Sequence, residues 1–564
     1  MKIKICTVIL FAILVLLQAT RLSAQVLPDS LVKKIDAVFT RGDNINSPGY
    51  AVGIVRNDSL IFAKGYGMAN LEYAIPNTPQ SIFQMASISK QFTAYAIVLL
   101  AKEGRLQLDD DIRKYLTWFP DLHKKITIRN LLNHTSGIRD ILQLLELSGT
   151  RLEDVITQDQ VIKILRNQRT LNFEPGEQYC YSSSGYILLA EIVQNVSGKS
   201  FREFCDSTIF KPLGMNNTHI CDDYTEIIKN RAYSYHRTDN IHYSNSILNY
   251  SYYGPTNLYT NVIDMSKWIM NFFDPKVGNK NDIARLTKRG KLNNGKEIDY
   301  AFGIVPAEYK GWKQFLHGGV DAGYRTFVTV FPDLKLGFIL FSNADDLNPW
   351  NVFYQFFGNY FIKDKTKQKT TIVSNTQDSS ATLIRNEKSL EDYLGDYISE
   401  YGKTLNLNIK RARLYYRIND GQEKLLKRES DNTFSDFNES YNRLLFKIQS
   451  NDTTVDMLTP FENDYYKKYT KNELVKDNVL QTYTGLYYCP ELDCKYGIIL
   501  RDHHLFLTNA KYNDIPLIYL TSEHLRSNFW GMDHLLIKRN NSNQIIGFEV
   551  NDERIKHLRF DKIK

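Results

Sequence analysis

The chain carries neither His-x-His-x-Asp-His nor His-Glu-x-x-His, so neither of those imidazole arrangements is available to hold a catalytic zinc. It has no Gly-x-Ser-x-Gly, which excludes the strand-to-helix elbow on which α/β-hydrolases raise their serine. Gly198-Lys199-Ser200 lacks the upstream glycine a phosphate loop needs. Charge of one sign is also scarce. A net +7 over 564 residues, with no concentrated Lys/Arg stripe and no nucleic-acid motif, describes a mixed solvated surface and predicts no nucleic-acid partner.

What is present is the composition of a soluble globular protein of several domains, 43% hydrophobic and 24% charged, unusual mainly in its 36 tyrosines and 30 phenylalanines. Met1 to Ala24 reads as a secretory signal. Lys2 and Lys4 give a positive start, Ile5 to Leu17 an apolar core too short to span a bilayer comfortably, and Leu22-Ser23-Ala24 a cleavage site before Gln25. Cys6 lies inside that core with no lipobox-like ending before it, so a lipid anchor is not expected. Export to the periplasm or beyond is predicted, with no membrane span after signal removal. The mature chain then carries Cys180, Cys205, Cys221, Cys489 and Cys494 where disulfides can form. The odd count leaves at least one free. Cys489 with Cys494 and Cys205 with Cys221 could each close a loop, and spacing does not assign the pairs.

Chemistry concentrates first at Phe83-Gln84-Met85-Ala86-Ser87-Ile88-Ser89-Lys90. From Ser89 to Glu103 nearly every side of a helix is apolar, which predicts a buried helix stopped by Gly104. Ser87 falls at its N-cap or first turn, and Lys90, three residues on, shares its face. A hydroxyl becomes a useful nucleophile when a neighbouring base takes its proton, and a lysine can be that base if burial disfavours its charge. Ser30-Leu31-Val32-Lys33 has the same spacing in a short amphipathic helix and is read as solvated.

Around this helix, Gly49 to Val55 and Leu60 to Tyr66 predict a hairpin about Asn57-Asp58. Helices are expected over Ile126 to Asn133, Thr157 to Asn167 and Gly185 to Val196. Leu316 to Phe331 and Leu336 to Ser342 predict paired strands about Pro332-Asp333-Leu334, and Trp350 to Phe361 an aromatic helix packing back on the sheet. Strands at both ends with helices between predict an α/β unit whose sheet is completed by the two ends.

Two further segments carry polar chemistry. In Glu174-Pro175-Gly176 through Tyr181-Ser182-Ser183-Ser184-Gly185, the turn and the following helix present Tyr181 from a loop edge, and a phenol beside an ammonium can act as an acid–base group. In His317-Gly318-Gly319-Val320-Asp321, adjacent strand glycines admit close approach of a backbone or ligand, and exposed N–H groups there can bind an oxyanion.

In this order the three segments resemble the serine β-lactamase and penicillin-binding-protein superfamily, whose motifs include Ser-x-x-Lys and Lys-Thr-Gly. The similarity is greatest to the class C β-lactamase-like branch, with its D-Ala-D-Ala carboxypeptidases, D-aminopeptidases and esterases, and covers about residues 30 to 365. Leu131-Leu132-Asn133-His134-Thr135-Ser136-Gly137 and Phe210-Lys211-Pro212-Leu213-Gly214-Met215 look like further signatures of that family. The resemblance implies a β-lactamase-like α/β fold, a mixed sheet with a helical subdomain. It makes Ser87 the nucleophile, Lys90 the amine sharing its proton and Tyr181 the second acid–base group. Ser183, His317, Gly319 and Val320 would border the substrate, His317 in the place of the third motif's cation, with the N–H groups of Ser87 and Val320 as oxyanion hole. No metal or cofactor is implied. The family's second motif is Tyr-x-Asn, and here Ser183 stands in place of Asn with a shorter, poorer hydrogen-bonding side chain.

Beyond a 25–365 hydrolase domain, residues 366–388 read as a polar linker. Leu390-x-x-Tyr393-x-Gly395-x-Tyr397 then returns ninety positions later as Leu480-x-x-Tyr483-x-Gly485-x-Tyr487. Two small antiparallel β-barrels, 389–475 and 476–564, similar to the lipocalin-like appendages of some relatives, are predicted. They either stabilise the hydrolase or send a loop to its active-site mouth, and the polar linker predicts that a chain ending near Lys365 folds alone. The sequence thus reads as an exported serine hydrolase forming a Ser87 acyl-enzyme on an ester or a peptide-like or D-amino-acid amide, with acyl transfer as a variant. The contrasting reading is a non-catalytic binder or sensor on the same scaffold.

Overall fold

The computed structural model describes residues 27–40, 43–365, 389–430, 433–436, 445–448, 454–458, 463–470 and 475–563. The expected leader and linker lie outside them. The chain divides into two compact units, Met1–Leu106 with Val193–Lys288 and Tyr300–Thr370, and Gln107–Ile192 with Arg289–Asp299 and Thr371–Lys564.

The first unit is built on six strands: β1 (Tyr50–Arg56), β2 (Ser59–Tyr66), β3 (Val305–Tyr309), β4 (Trp312–Asp321), β5 (Tyr324–Phe331) and β6 (Leu336–Ser342). Their order in the sheet is β3-β4-β5-β6-β1-β2, and every pairing is antiparallel. The early hairpin therefore joins the late strands through β1 and β6, Tyr50 facing Ser342 and Arg56 facing Leu336. The stretch expected as one strand from Leu316 to Phe331 turns back at Ala322-Gly323, because Asp321 pairs with Tyr324.

Helix α1 (Asp29–Phe39) buries Leu31, Ile35 and Phe39, spaced one turn apart. These pack with Val52, Ile54, Phe327, Phe331, Phe338, Phe353 and Phe357 in one core cluster. The aromatic segment Pro349 to Phe361 supplies the last two rings, as helical turns interrupted by a π-turn over Phe353–Phe357. Ser30 and Lys33 are exposed, as their solvated reading requires. Helix α2 (Ser89–Lys102) buries residues 89 to 100 without a break, and Gly104 follows with φ +73°, a conformation that ends helices at little cost for glycine.

In the second unit, short helices Ile128–Leu132 and Gln158–Arg166 both begin in capping boxes, on Thr127 and Thr157. Helix α3 (Ile141–Leu147) and helix α4 (Ser183–Ser197) complete the helical part used below. Two closed barrels of eight strands each follow, running Gly395–Ser399 to Asn463–Tyr469 and Gly485–Cys489 to Leu558–Lys562. The sequence repeat has a structural meaning. In each barrel the first tyrosine ends a 3₁₀ turn, and its carbonyl accepts the hydroxyl of the second, Tyr397 to Tyr393 at 2.9 Å and Tyr487 to Tyr483 at 2.6 Å. The second barrel seats directly on α3. Tyr512 donates to the Glu146 carbonyl at 2.9 Å, and Tyr496 and Cys494 donate to that of Leu147 at 3.1 and 3.3 Å.

All five cysteines among the described residues are free thiols. Cys489 and Cys494 stand opposite each other on neighbouring strands of the second barrel. Burial pushes the Cys205 thiol far up, and Cys221 to about 11, so neither carries thiolate at neutral pH.

Candidate active site

Ser87 is not an N-cap. It lies inside a 3₁₀ turn, Ala86–Ile88, that runs into α2, and the position before α2 is Ile88, which offers no side-chain cap. The turn is entered through Ala86 at φ +47°, a left-handed conformation costly for a residue with a Cβ. Gln84 holds it there: its Oε1 accepts the Ala86 N–H at 2.7 Å, and its Nε2 donates to Thr256 Oγ1 at 2.6 Å and Asp321 Oδ2 at 3.1 Å. Thr256 also donates to Asp321, at 2.7 Å. Burial raises the Asp321 carboxyl above the ordinary carboxylate range, while the bonds from Thr256 and Gln84 oppose that rise. Gln84, Thr256 and Asp321 are site residues the sequence reading missed. Asp321 lies two residues beyond Gly319, so nearness to the glycine motif was the one signal available for it.

One helical turn after Ser87, Lys90 is 1% exposed. Its Nζ donates to Ser87 Oγ at 3.1 Å and to the Pro255 carbonyl at 3.0 Å. The helical spacing therefore delivers what it predicts: a hydroxyl and an amine in hydrogen-bond contact at the buried end of a core helix.

Strand β4 brings the third motif against this turn. A Cβ on Gly319 would collide with the Met85 carbonyl, Thr326 Oγ1 and the Ala86 methyl, so only glycine permits the approach. Thr326 Oγ1 adds a bond to the Met85 carbonyl at 3.0 Å. A Cβ on Gly318 would enter the ring of Trp350. Because Asp321 and Tyr324 close a two-residue hairpin, the antiparallel alternation turns the N–H of Val320 away from β5. The Val320 side chain is 60% exposed, so this end of β4 opens to solvent.

His317 is in this unit and is not a cation. Burial pulls its imidazole down to about 4, the hydrogen bond to Gly318 opposing and the Lys90 charge assisting. Its Nδ1 lies 2.7 Å from the Gly318 carbonyl and its Nε2 2.9 Å from the Tyr300 hydroxyl. A carbonyl only accepts, so the proton is assigned to Nδ1, leaving Nε2 to accept from Tyr300.

The structure thus brings Ser87, Lys90, His317, Gly319 and Val320 together in the first unit. Tyr181 and Ser183 belong to the second unit, where the His134 to Asp140 segment fixes them. The His134 carbonyl accepts Cys180 N–H at 2.9 Å and its Nδ1 accepts Ser182 N–H at 3.1 Å. Asp140 Oδ2 accepts Ser183 N–H at 2.7 Å, and the Arg139 carbonyl accepts Ser184 Oγ at 2.6 Å. Gly137, at φ +75°, lies so close to the Phe173 carbonyl that no side chain fits. The Asn133-His134-Thr135-Ser136-Gly137 signature is therefore the cradle of the Tyr181 segment. Tyr181 lies against His134, ring centroids 4.2 Å apart, and Arg554 of the second barrel covers its ring at 5.1 Å.

The Beta-lactamase family profile matches residues 35–351, and the chain belongs to that family. Penicillin-binding protein 4* of Bacillus subtilis is 28% identical over 387 residues, 64% of this chain and 81% of that protein. The D-aminopeptidase of Gluconobacter oxydans is 28% identical over 280 residues, 50% of this chain and 52% of its own length, so the chain spans about half of that relative. Among solved structures, the penicillin-binding protein homologue from Pyrococcus abyssi gives a TM-score of 0.52 at 23% identity, covering 78% of this chain and 99% of that one. The fold is the one used by serine hydrolases of the β-lactamase and penicillin-binding-protein superfamily.

Proposed function

We propose that this protein is an exported serine hydrolase that forms an acyl-enzyme on Ser87 from an ester or from a peptide-like or D-amino-acid amide. The observation that carries the reading is the buried Lys90 Nζ at 3.1 Å from Ser87 Oγ, on a 3₁₀ turn entered through Ala86 at φ +47° and packed against Gly319 of β4. In the first step Ser87 Oγ attacks the substrate carbonyl while its proton passes to the Lys90 amine. The oxyanion that forms takes the N–H groups of Ser87 and Val320. Collapse expels the leaving alcohol or amine, which takes up a proton, and water or another hydroxyl then attacks the ester on Ser87. Tyr181 is the second acid–base group in this scheme, on the strength of its motif and its place in the motif order. The D-aminopeptidase relative supports the amide alternative, and the leader-like Met1 to Ala24 supports export.

The test is turnover of activated esters and of D-amino-acid amides by the wild type and Ser87→Ala. Hydrolysis of either class, abolished by the substitution, supports the proposal. Hydrolysis that survives it assigns the chemistry elsewhere. Export is tested by whether the mature N-terminus, sequenced from secreting cells, begins at Gln25.

A further inference from the structure

Cys489 ends the first strand of the second barrel and Cys494 begins the next, on either side of the tight loop Pro490-Glu491-Leu492-Asp493. The two are register partners in an antiparallel ladder. Opposed residues of such a ladder have Cα atoms about 4.5–5.5 Å apart and point their side chains to one face, and a disulfide spans Cα separations of about 4.4–6.8 Å, so the backbone already stands where the bond needs it. Both side chains are buried, and the sulfurs meet: a hydrogen bond with Cys489, together with burial, pushes the Cys494 thiol far up. Cys180, Cys205 and Cys221 lie outside the strands. Cys221 Sγ gives its hydrogen to the Asp223 carbonyl at 3.2 Å and Cys180 Sγ lies 3.6 Å from that of Glu553, so each meets a carbonyl where Cys489 and Cys494 meet each other. Glu491, inside the bracketed loop, is itself buried, and its Oε2 accepts Arg139 Nη1 at 3.0 Å and the Arg169 N–H at 2.8 Å. The carboxylate that answers the buried Arg139 charge therefore hangs on the loop between the two cysteines.

We propose that Cys489 and Cys494 are a modification site, joined as a disulfide in the exported chain, and that the bond fixes the loop that presents Glu491 to Arg139. This rests on the proposed export, because cytosolic thiol pools keep such pairs reduced. The oxidant is a disulfide-bearing partner of the exported compartment. One cysteine attacks it as thiolate to give a mixed disulfide, the other cysteine displaces that partner, and two protons and two electrons leave with the oxidant as thiols. Once the barrel has closed, the Cys494 thiol is buried and held protonated, so the exchange belongs to the stage before closure. Oxidation gives up one bond. Cys494 no longer donates to the Leu147 carbonyl at 3.3 Å, and that carbonyl keeps the Tyr496 hydroxyl at 3.1 Å.

The experiment delivers residues 25–564 to a bacterial periplasm in two ways, behind their own Met1 to Ala24 and behind a leader of known competence, and makes a reduced reference by expressing the same residues in the cytosol. Each chain is unfolded in iodoacetamide without reductant, weighed intact and mapped by peptides. The periplasmic chain should be alkylated on Cys180, Cys205 and Cys221 alone and yield a peptide joined through Cys489 and Cys494, and reduction before alkylation should make both of these reactive as well. It should also melt several degrees above the cytosolic reference, a gap that the double variant Cys489→Ser with Cys494→Ser abolishes. If only the second leader delivers the linked chain, the proposed export fails and the disulfide stands. Alkylation of all five cysteines in a chain recovered from the periplasm, or a bridge from either residue to another cysteine, overturns the proposal. Equal melting of the linked and reduced wild-type chains overturns the role given to the loop.

Discussion

Lys90 touches Ser87 directly and has almost no access to water, and in the proposed reaction the pair acts as one group. Lys90→Ala should lower kcat/KM about 10²–10⁴-fold, the usual cost of losing a general acid–base group, and Tyr181→Phe should fall in the same range. If the three residues form a unit, the double variant loses less than the product of the singles, and multiplicative losses in steady-state assays would contradict the shared role. His317 gives a prediction about stability. An unfolded imidazole binds its proton near pH 6.5 and this one only near pH 4. The folded state therefore binds fewer protons between those values, so its contribution is complete above pH 6.5 and is lost as pH falls, by about 3 kcal/mol at pH 4. Thermal unfolding of His317→Gln should accordingly fall less steeply than wild type from pH 7 to 4.5, and parallel curves would show that the imidazole is not held neutral. At this scale the contact of Ser87 with Lys90 was legible, because helical spacing and apolar flanks encode contact and burial, whereas the burial that keeps His317 neutral was not. The Gln84–Thr256–Asp321 support was not, since its members meet only through the fold.

Elements were legible where one periodicity ruled. The early hairpin, α1, α2 and the aromatic segment ending at Phe361 stand close to their expected places, and the ninety-residue repeat marked both barrels. The break at Ala322-Gly323 was hidden because β4 and β5 are both rich in residues that suit strands, and the turn puts an alanine, not a glycine, at φ +45°. The approach of β4 to the Ser87 turn depends on Gly319. Gly319→Ala should lower kcat/KM on small esters by at least tenfold with a smaller change in melting temperature, because the added methyl pushes on the Met85 carbonyl and Ala86. Full activity would show that this close approach is not what shapes the site. In the barrels, Tyr397→Phe and Tyr487→Phe each remove one buried hydroxyl bond and should cost about 1 kcal/mol in denaturant titrations. A cost near zero would contradict the structural role given to the repeat.

At the scale of the molecule, the helical segment 107–192 and the barrels share one compact unit, joined at Arg139. Its guanidinium is buried and donates to Glu491 Oε2 at 3.0 Å, Gln168 Oε1 at 3.0 Å, and the carbonyls of Lys556 and His557 at 3.0 and 3.1 Å. A chain ending near Lys365 would leave that charge without its barrel partners, and uncompensated buried charge is strongly destabilising. Such a truncation is therefore expected to be insoluble or to melt well below the full chain, the reverse of what the polar linker alone suggests. A truncated chain as stable as the original would show that this network is dispensable. No local sequence pattern announces Arg139, because its barrel partners lie hundreds of residues away and a lone arginine reads as surface.

The central claim is that Ser87 becomes acylated. Incubation with a fluorophosphonate, followed by intact mass and peptide mapping, tests it most directly. One adduct per chain, located on Ser87 and absent from Ser87→Ala, is the predicted result, and a full-length, folded chain that gains no mass, or gains it on another residue, would contradict the account.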